Sequence, residues 1–524
     1  MFYVHRFCAN GSVAIAGLIA VAVLMSALPL SALTFTVDDF GEGSDANLND
    51  NQCATAGGSC TLRAAVEQAN STSGLDTIEF QSSGTVLFSS VVIDITDSIL
   101  LYPGAAPSVT ISRVNQGGLL RILQNGTSVT IEDLTFSNPG GQAIVIGSGP
   151  QVTLRRCVFD GNINPSGSAS GGAISVGGET LVDTCEFRNN SSAVTSGGAI
   201  FLGTSALLSI VNSTIEDNVA ATGGGIAVGS GTERLILRDT VIRRNQATGD
   251  GGGIHSHSRI ESEGVTIYDN IAGGDGGGVW ADNQGGGQTI QAVDLVGADI
   301  RGNTAAGNGG GVYFGSGVGL HEFLLSRSAV WENDADLGGG VYVFGSSDTV
   351  YEIANSTIGV NTANSGGGVY HALGDLSILH STIWDNASDQ LRNSGPVQLG
   401  NLGNSIIGFE SAGSSGCLNP PVQLGSNLAS DGSCGASIVA DPELGPITNT
   451  GGYAPTQPFA NTSAAVDAAN LVLCGDPPID FYDSDGPNRP IGTDCDLGSW
   501  ESGASLFFDG FESGDTTSWS ATVP

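Results

Sequence analysis

The chain contains no lysine. All sixteen of its basic residues are arginines, set against 52 Asp and Glu, for a formal charge of −36. The missing lysine removes any Schiff-base or lysine proton-transfer chemistry. The charge imbalance argues against nucleic acid and anionic lipid as partners, because phosphate repels so acidic a chain. The same excess of carboxylate suits solubility in a saline exterior and attracts divalent cations. After residue 32 no stretch reaches 18 apolar residues, so no transmembrane span is expected in the mature chain. No CxxC pair is present, which argues against a thiolate zinc site. No helix or GK[ST] follows the glycine clusters, so they are not phosphate loops. The RTX calcium repeat is absent as well.

Glycine is abundant instead: 80 of 524 residues, with no strict G-x-y period. It recurs with asparagine. From Phe159 to Asn386 one unit repeats, an apolar segment ending in Asn, a loop, a glycine cluster and a β-branched residue. The Asn copies are Asn162, Asn190, Asn218, Asn245, Asn270, Asn303, Asn333, Asn361 and Asn386, spaced by 25 to 33 residues. The glycine clusters precede Ile174, Ile200, Ile226, Ile254, Val279, Val312, Val341 and Val369. A period of this length describes units that bury a core only by stacking on their neighbours. Within Gly223 to Asn245, Ile226–Val228, Leu235–Leu237 and Thr240–Ile242 read as three short strands with no helical period. This predicts an all-β fold, a single-stranded right-handed parallel β-helix of ~13 coils and ~60 Å at one strand spacing per coil. Stacked Asn would form an amide ladder at one corner.

Residues 1–32 read as a secretory signal: His5 and Arg6, an apolar run from Ser12 to Leu30, then Ser31-Ala32. A retained membrane anchor is the alternative. Without Cys8, eight cysteines remain, an even number that suits disulfides after export. Cys157 and Cys185 are one repeat apart, so stacking would bring them to ~4.8 Å, within disulfide range. Proximity pairs Cys53 with Cys60, Cys417 with Cys434, and Cys474 with Cys495. Leu62, Ala65, Val66 and Ala69 share one face of a helical pattern, expected to cap the first coil. Residues 416–502 lose the repeat and gain Pro and Cys, as a second cap would.

Phe159-Asp160-Gly161-Asn162 with Gly171-Gly172-Ala173-Ile174 resembles the paired FxxN and GGAI repeats of polymorphic outer membrane proteins, and Phe187–Asn190 with Gly197–Ile200 repeats the match. That resemblance implies an exported β-helix linked to adhesion. The family's usual C-terminal secretion barrel has no counterpart pattern after residue 430. Cys60–Asn70 resembles the CSLREA motif of bacterial surface proteins, with Thr61 for Ser and Ala64 for Glu. Ala464–Asn470, Arg489-Pro490 and Cys495–Glu501 resemble the choice-of-anchor Q domain. Phe507–Asp515 resembles short C-terminal tails of secreted proteobacterial proteins. Together these imply the extracellular or outer-membrane surface of a Gram-negative bacterium.

Strand parity then locates a working face. If Ile254 points inward, Ser175, Phe201, Ala227, His255, Trp280, Tyr313, Tyr342 and Tyr370 point outward on successive coils. Phe201, His255, Trp280, Tyr313, Tyr342 and Tyr370 would form an exposed stripe on which sugar rings stack. The alternative is that these rings stack on one another or lie under loops and add stability only. Asp250, Asp275, Asp282, Asp334 and Asp336 flank the face. His255, Asp282, Arg259 and Tyr313 are candidates for acid–base chemistry there, although paired catalytic carboxylates are not evident. Asp483, Asp485 and Asn488 have the alternate spacing of a calcium loop without its later Glu, which makes calcium the one candidate cofactor.

The expected organisation is a signal peptide at 1–32, an N-terminal cap at 33–86, the β-helix at 87–415, a choice-of-anchor Q-like cap at 416–502 and a tail at 503–524 carrying a sorting or anchoring signal. The expected function is adhesin-like binding of glycans, a host surface or neighbouring cells by a monomer. A polysaccharide lyase or glycoside hydrolase on the same face is the first alternative, and a structural spacer the second.

Overall fold

Each glycine cluster turns the chain into a strand of three to five residues, and the coil closes over the next 25 or so residues. In one coil the strands are Ile226–Val228, Arg234–Arg238, Val241–Arg243 and Gln246–Ala247. Corresponding strands of successive coils pair in parallel, giving sheets of 15, 13, 15 and seven strands. We number them in that order: the first sheet opens with Thr34–Val37, the second with Ile93–Ile95, the third with Gly84–Phe88 and the fourth with Ser191–Ser196. The computed structural model describes residues 32–89, 92–138, 140–165, 170–283, 291–316, 321–345, 349–394, 400–410, 414–449, 452, 454–474 and 495–501. The fold is an all-β, right-handed parallel solenoid. The fourth sheet is an addition to the expected triangular coil. In seven central coils the residues between the Asn and the glycines pair as well, in the register Val219, Gln246, Ile271 and Thr304.

Registers run straight, so like residues stack. Ile174, Ile200, Ile226, Ile254, Val279, Val312, Val341 and Val369 form one inward column, all fully buried. Phe136, Phe159 and Phe187 stack in another at 5.0 and 4.5 Å between ring centres. Each such side chain contributes roughly 1.5–3 kcal/mol by leaving water.

The glycine triplet serves three needs. Gly223 has φ +62°, Gly224 has no room for a Cβ (2.3 Å from Gly252 O), and a Cβ on Gly225 would lie 2.9 Å from Gly253 O. The third position is the one that tolerates alanine, as Ala173 and Ala199 show. This explains the drift between GGA and GGG.

The Asn column is a fully satisfied ladder. Asn218 donates its backbone N–H (3.1 Å) and its Nδ2 (2.9 Å) to Asn245 Oδ1, and Asn245 treats Asn270 in the same way. The second Nδ2 proton goes to a carbonyl of the preceding coil, such as Ile215 O for Asn245. The ladder begins at Asn138 and ends at Asn386, where Gln390 Oε1 replaces the next Asn.

A second column corrects an expected disulfide. Cys157 and Cys185 do stack, but both are free, buried thiols. Cys157 N–H donates to Cys185 Sγ (3.3 Å), and Cys185 N–H donates to Ser213 Oγ (3.0 Å). Serines continue the pattern at Ser328, Ser356, Ser381 and Ser405. The thiols also reach the carbonyls of Ile131 and Leu154. A bridge would break these contacts and pull two Cβ atoms from strand spacing toward ~3.8 Å. The other three expected pairs, Cys53–Cys60, Cys417–Cys434 and Cys474–Cys495, are disulfides. Three bridges are the usage of an exported protein.

Helix Leu62–Ser71 starts at the N-cap Thr61, whose side chain accepts the Ala64 N–H, and Leu62, Ala65, Val66 and Ala69 are buried in the core. Rod strands continue to Ile438–Val439, beyond the expected boundary at 415. Segments 444–449 with 454–459, and 495–501, then lie along the flank of the third sheet. Ser499 Oγ bonds Thr357 Oγ1 (2.7 Å) and Thr382 Oγ1 (3.2 Å), and Leu497 packs on Trp384, Ile406 and Leu428. We call this pair of segments the strap. No helix among the described residues is long and apolar enough to cross a membrane. The signal-like segment up to residue 31 and the tail from 502 lie outside the described residues.

Candidate functional site: the outer row of the second sheet

The register places Ser175, Phe201, Ala227, His255, Trp280, Tyr313, Tyr342 and Tyr370 in one outward row, and Arg392 follows. The rings stack on one another nearly parallel. Centroid distances are 4.2 Å for His255–Trp280, 6.0 Å for Trp280–Tyr313, and 5.2 Å for both Tyr313–Tyr342 and Tyr342–Tyr370. The Arg392 guanidinium lies 5.9 Å over Tyr370 and closes that end. The expected open stripe is therefore corrected. From His255 to Tyr370 the ring faces meet each other, and the outside meets ring edges. His255 and Trp280 are buried, while Phe201, Tyr313, Tyr342 and Tyr370 are half-buried. One-rung spacing sets this outcome, because a flat ring fits the gap between rungs with little left over.

Glycine turns form one wall. A Cβ on Gly251 would lie 2.7 Å from His255 Cβ, and one on Gly276 would lie 2.5 Å from Trp280 Cβ. Asp250 and Asp275 sit in these turns and are laddered. Asp250 Oδ1 accepts the Asp275 N–H (2.8 Å), and Asp275 Oδ1 accepts Asn308 N–H (2.6 Å) and Nδ2 (3.1 Å). Burial raises the Asp275 carboxyl above its ordinary value. Burial, with Asp275 and Asp282 nearby, raises the Tyr313 phenol, and burial with Tyr370 raises that of Tyr342. These phenols therefore stay protonated at ordinary pH.

On the other side Asp282 shares the outward face with Trp280. Gly315 on the next rung leaves the space into which Tyr313 leans, since a Cβ there would meet Tyr313 Cε1 at 2.9 Å and Asp282 Cγ at 3.2 Å. His257 Nδ1 lies 3.0 Å from Asp282 O and presents its edge to His255 and Trp280. Burial, helped by His257, pushes the His255 imidazole down to about 3. His255 is thus neutral at ordinary pH. Asp282 and Tyr313 lie together beside Gly315, the Trp280 ring separates His255 from Tyr313, and Arg259 does not join them. It is paired with Glu261 (2.8 Å) and Asp294 (3.7 Å) at the first sheet. Among the described residues no group of three or more His, Cys, Asp or Glu could hold a metal. The calcium candidates Asp483, Asp485 and Asn488 lie outside the described residues.

The sequence reading passed over a second outward row, on the third sheet: Glu216, Arg243, Tyr268, Arg301 and Trp331. Arg301 lies 4.4 Å over the Tyr268 ring and 5.8 Å over Trp331. Each member stands two residues before a ladder Asn, and that fixed offset was a readable signal.

A family model described as a right handed beta helix region matches residues 117–295. The match supports the repeat type. No curated protein matches the chain. Among solved structures, pectate lyase Pel9A is 13% identical with a TM-score of 0.33, over 90% of this chain and 97% of that one. The A-module of mannuronan C-5 epimerase AlgE4 from Azotobacter vinelandii is 13% identical with a TM-score of 0.36, over 69% and 91%. The AlgE6 A-module from the same organism gives 13% and 0.36, over 70% and 93%. Overlaps this shallow bring no activity with them.

Proposed function

We propose that this chain is an exported, surface-displayed rod that binds glycans or neighbouring cell surfaces along the outer row of its second sheet without cleaving them. The observation that carries the reading is the column Tyr313, Tyr342 and Tyr370, half-buried and stacked, with ring edges outward at one-rung intervals beside Asp250, Asp275 and Asp282. Protonated phenols and carboxylates at a regular spacing supply donors and acceptors for the hydroxyls of an extended saccharide. Contact is through hydrogen bonds at ring edges rather than stacking on ring faces. A non-cleaving role is favoured because His255 is buried and neutral while Arg259 is engaged elsewhere. Display on a Gram-negative surface is supported by the three disulfides, the signal-like N-terminal segment and the surface-protein resemblances.

The test is a panel of immobilised polysaccharides, scored for retention of the protein and for new unsaturated or reducing ends. Retention that weakens at least tenfold in Tyr342→Ala, with no new ends, is the expected result. New unsaturated ends would establish a lyase instead. Absence of both across the panel would leave a structural spacer.

A further inference from the structure

One ring of the outer row is set differently from the rest. Phe201 has Ser175 and Ala227 on the adjacent rungs, so no ring of the row stacks on it. It leans sideways over two glycines instead. Its Cε1 lies 3.9 Å from where a Cβ of Gly203 would stand, and its Cζ and Cε2 lie 3.5 and 3.9 Å from that of Gly229. Gly203 and Gly229 hold equivalent places on successive rungs, since Gly203 N–H donates to Val176 O and Gly229 N–H to Leu202 O. Opposite edges of the ring thus reach different rungs, and the ring spans them along the sheet. From His255 to Tyr370 ring covers ring, whereas Phe201, half-buried, rests one face toward the glycines and leaves the other uncovered by any ring of the row.

The backbone does not force glycine at 203. A Cβ there would make only ordinary contacts, 3.5 Å to Val176 O and 3.9 Å to Phe201 Cε1. The fold would accept a side chain at that place, and a long one would lie against the Phe201 ring.

The surroundings are uncharged. Val145, Ser175 and Ala227 share the row, and Gly147 and Gly177 continue the glycine column. Just before the turn glycines stand Ser196 and Thr222, with hydroxyls 2.9 Å apart, where later coils carry Asp250 and Asp275. Arg121, three rungs away, is taken up by Asp94 at 2.6 Å.

Resting on the glycan-binding reading of this row, we propose that Phe201 is where a sugar stacks face to face, and that the sugar is an uncharged pyranose. The C–H face of the pyranose leaves water against the ring, while its equatorial hydroxyls stay hydrated at the rim. A uronate would bring a carboxylate to a place with no cation to receive it.

The test titrates the full chain with cellohexaose, mannohexaose and hexagalacturonate. Calorimetry gives affinity, and proton NMR gives contact, because an aromatic ring current moves the C–H protons of a stacked sugar upfield. At least one uncharged hexasaccharide is expected to bind about tenfold or more tightly than hexagalacturonate, with upfield-shifted C–H protons. Phe201→Ala should weaken that binding about tenfold or more and abolish the upfield shift, while Phe201→Tyr keeps both. Gly203→Leu should weaken it with Phe201 intact, because the new side chain takes the sugar's place on the ring. Circular dichroism and melting of each variant separate loss of binding from loss of fold. Unchanged binding in Phe201→Ala, or equal binding of charged and uncharged probes, overturns the proposal. Loss in Tyr342→Ala without loss in Phe201→Ala keeps the row as the binding face and removes only the stacking at Phe201. Binding of no hexasaccharide by the parent also overturns the proposal, and retention on the polysaccharide panel then decides the wider reading by itself.

Discussion

Asn245 uses all four of its side-chain hydrogen-bonding positions while fully buried: two donated to Ile215 O and Asn270 Oδ1, two accepted from Asn218. Asn245→Ala would orphan several buried groups at roughly 1–3 kcal/mol each. A loss of at least ~3 kcal/mol by urea unfolding is expected, and a loss under 1 would contradict the ladder's structural role. The glycines separate by position. Gly224→Ala should destabilise far more than Gly225→Ala, because only the third place already holds alanine in other coils. For the cysteines, alkylation after unfolding without reductant should label Cys157 and Cys185 in full, and Cys185→Ser should change stability by less than about 1 kcal/mol, since serine fills that place elsewhere. His255 gives a pH dependence. Its folded value of about 3 lies below the ordinary 6.5. Between those values the unfolded chain binds a proton that the folded chain refuses, so this contribution is complete above pH 6.5 and is lost as pH falls toward 3. His371, also lowered by burial, acts in the same direction. His255→Phe is expected to flatten the fall in Tm between pH 6.5 and 4, and an unchanged slope would remove His255 from the account.

At the scale of the element, what could be read from the chain is what repeats. Inward Ile and Val, the Asn column and the outward aromatic row all follow from a period and strand parity. What escaped had no period or lay far apart in sequence. Gln390 imitates an Asn only at the last rung. Parity placed His255 to Tyr370 on one face, but it carries no information on the gap between rungs, so stacking of the rings on each other was not decided by it. The strap is tied to the rod by contacts such as Ser499 to Thr357, 142 residues apart, and no local pattern announces them. Its seat at Gly359 can be tested. Gly359→Leu should displace Ile447, shift tryptophan emission to the red as Trp384 meets water, and admit proteolysis between residues 444 and 459. Unchanged emission and protease resistance would show that the strap docks without that notch.

For the whole molecule the governing quantity is a charge of −36 spread along a rod. Arginines pair across coils, Arg156 with Asp133 at 2.7 Å and Arg244 with Asp217 at 2.8 Å, but sixteen arginines cannot offset 52 carboxylates. These pairs are solvent-exposed in good part, and exposed pairs add little to stability. Repulsion among the unmatched carboxylates acts between many groups and over longer distances, so salt reduces it more than it reduces the short pairs. Raising NaCl from about 10 to 300 mM should therefore raise Tm, with most of the gain below 100 mM, where the Debye length passes ~10 Å. A fall in Tm over that range would mean that the cross-coil arginine pairs, not the excess of negative charge, dominate the electrostatics of the rod.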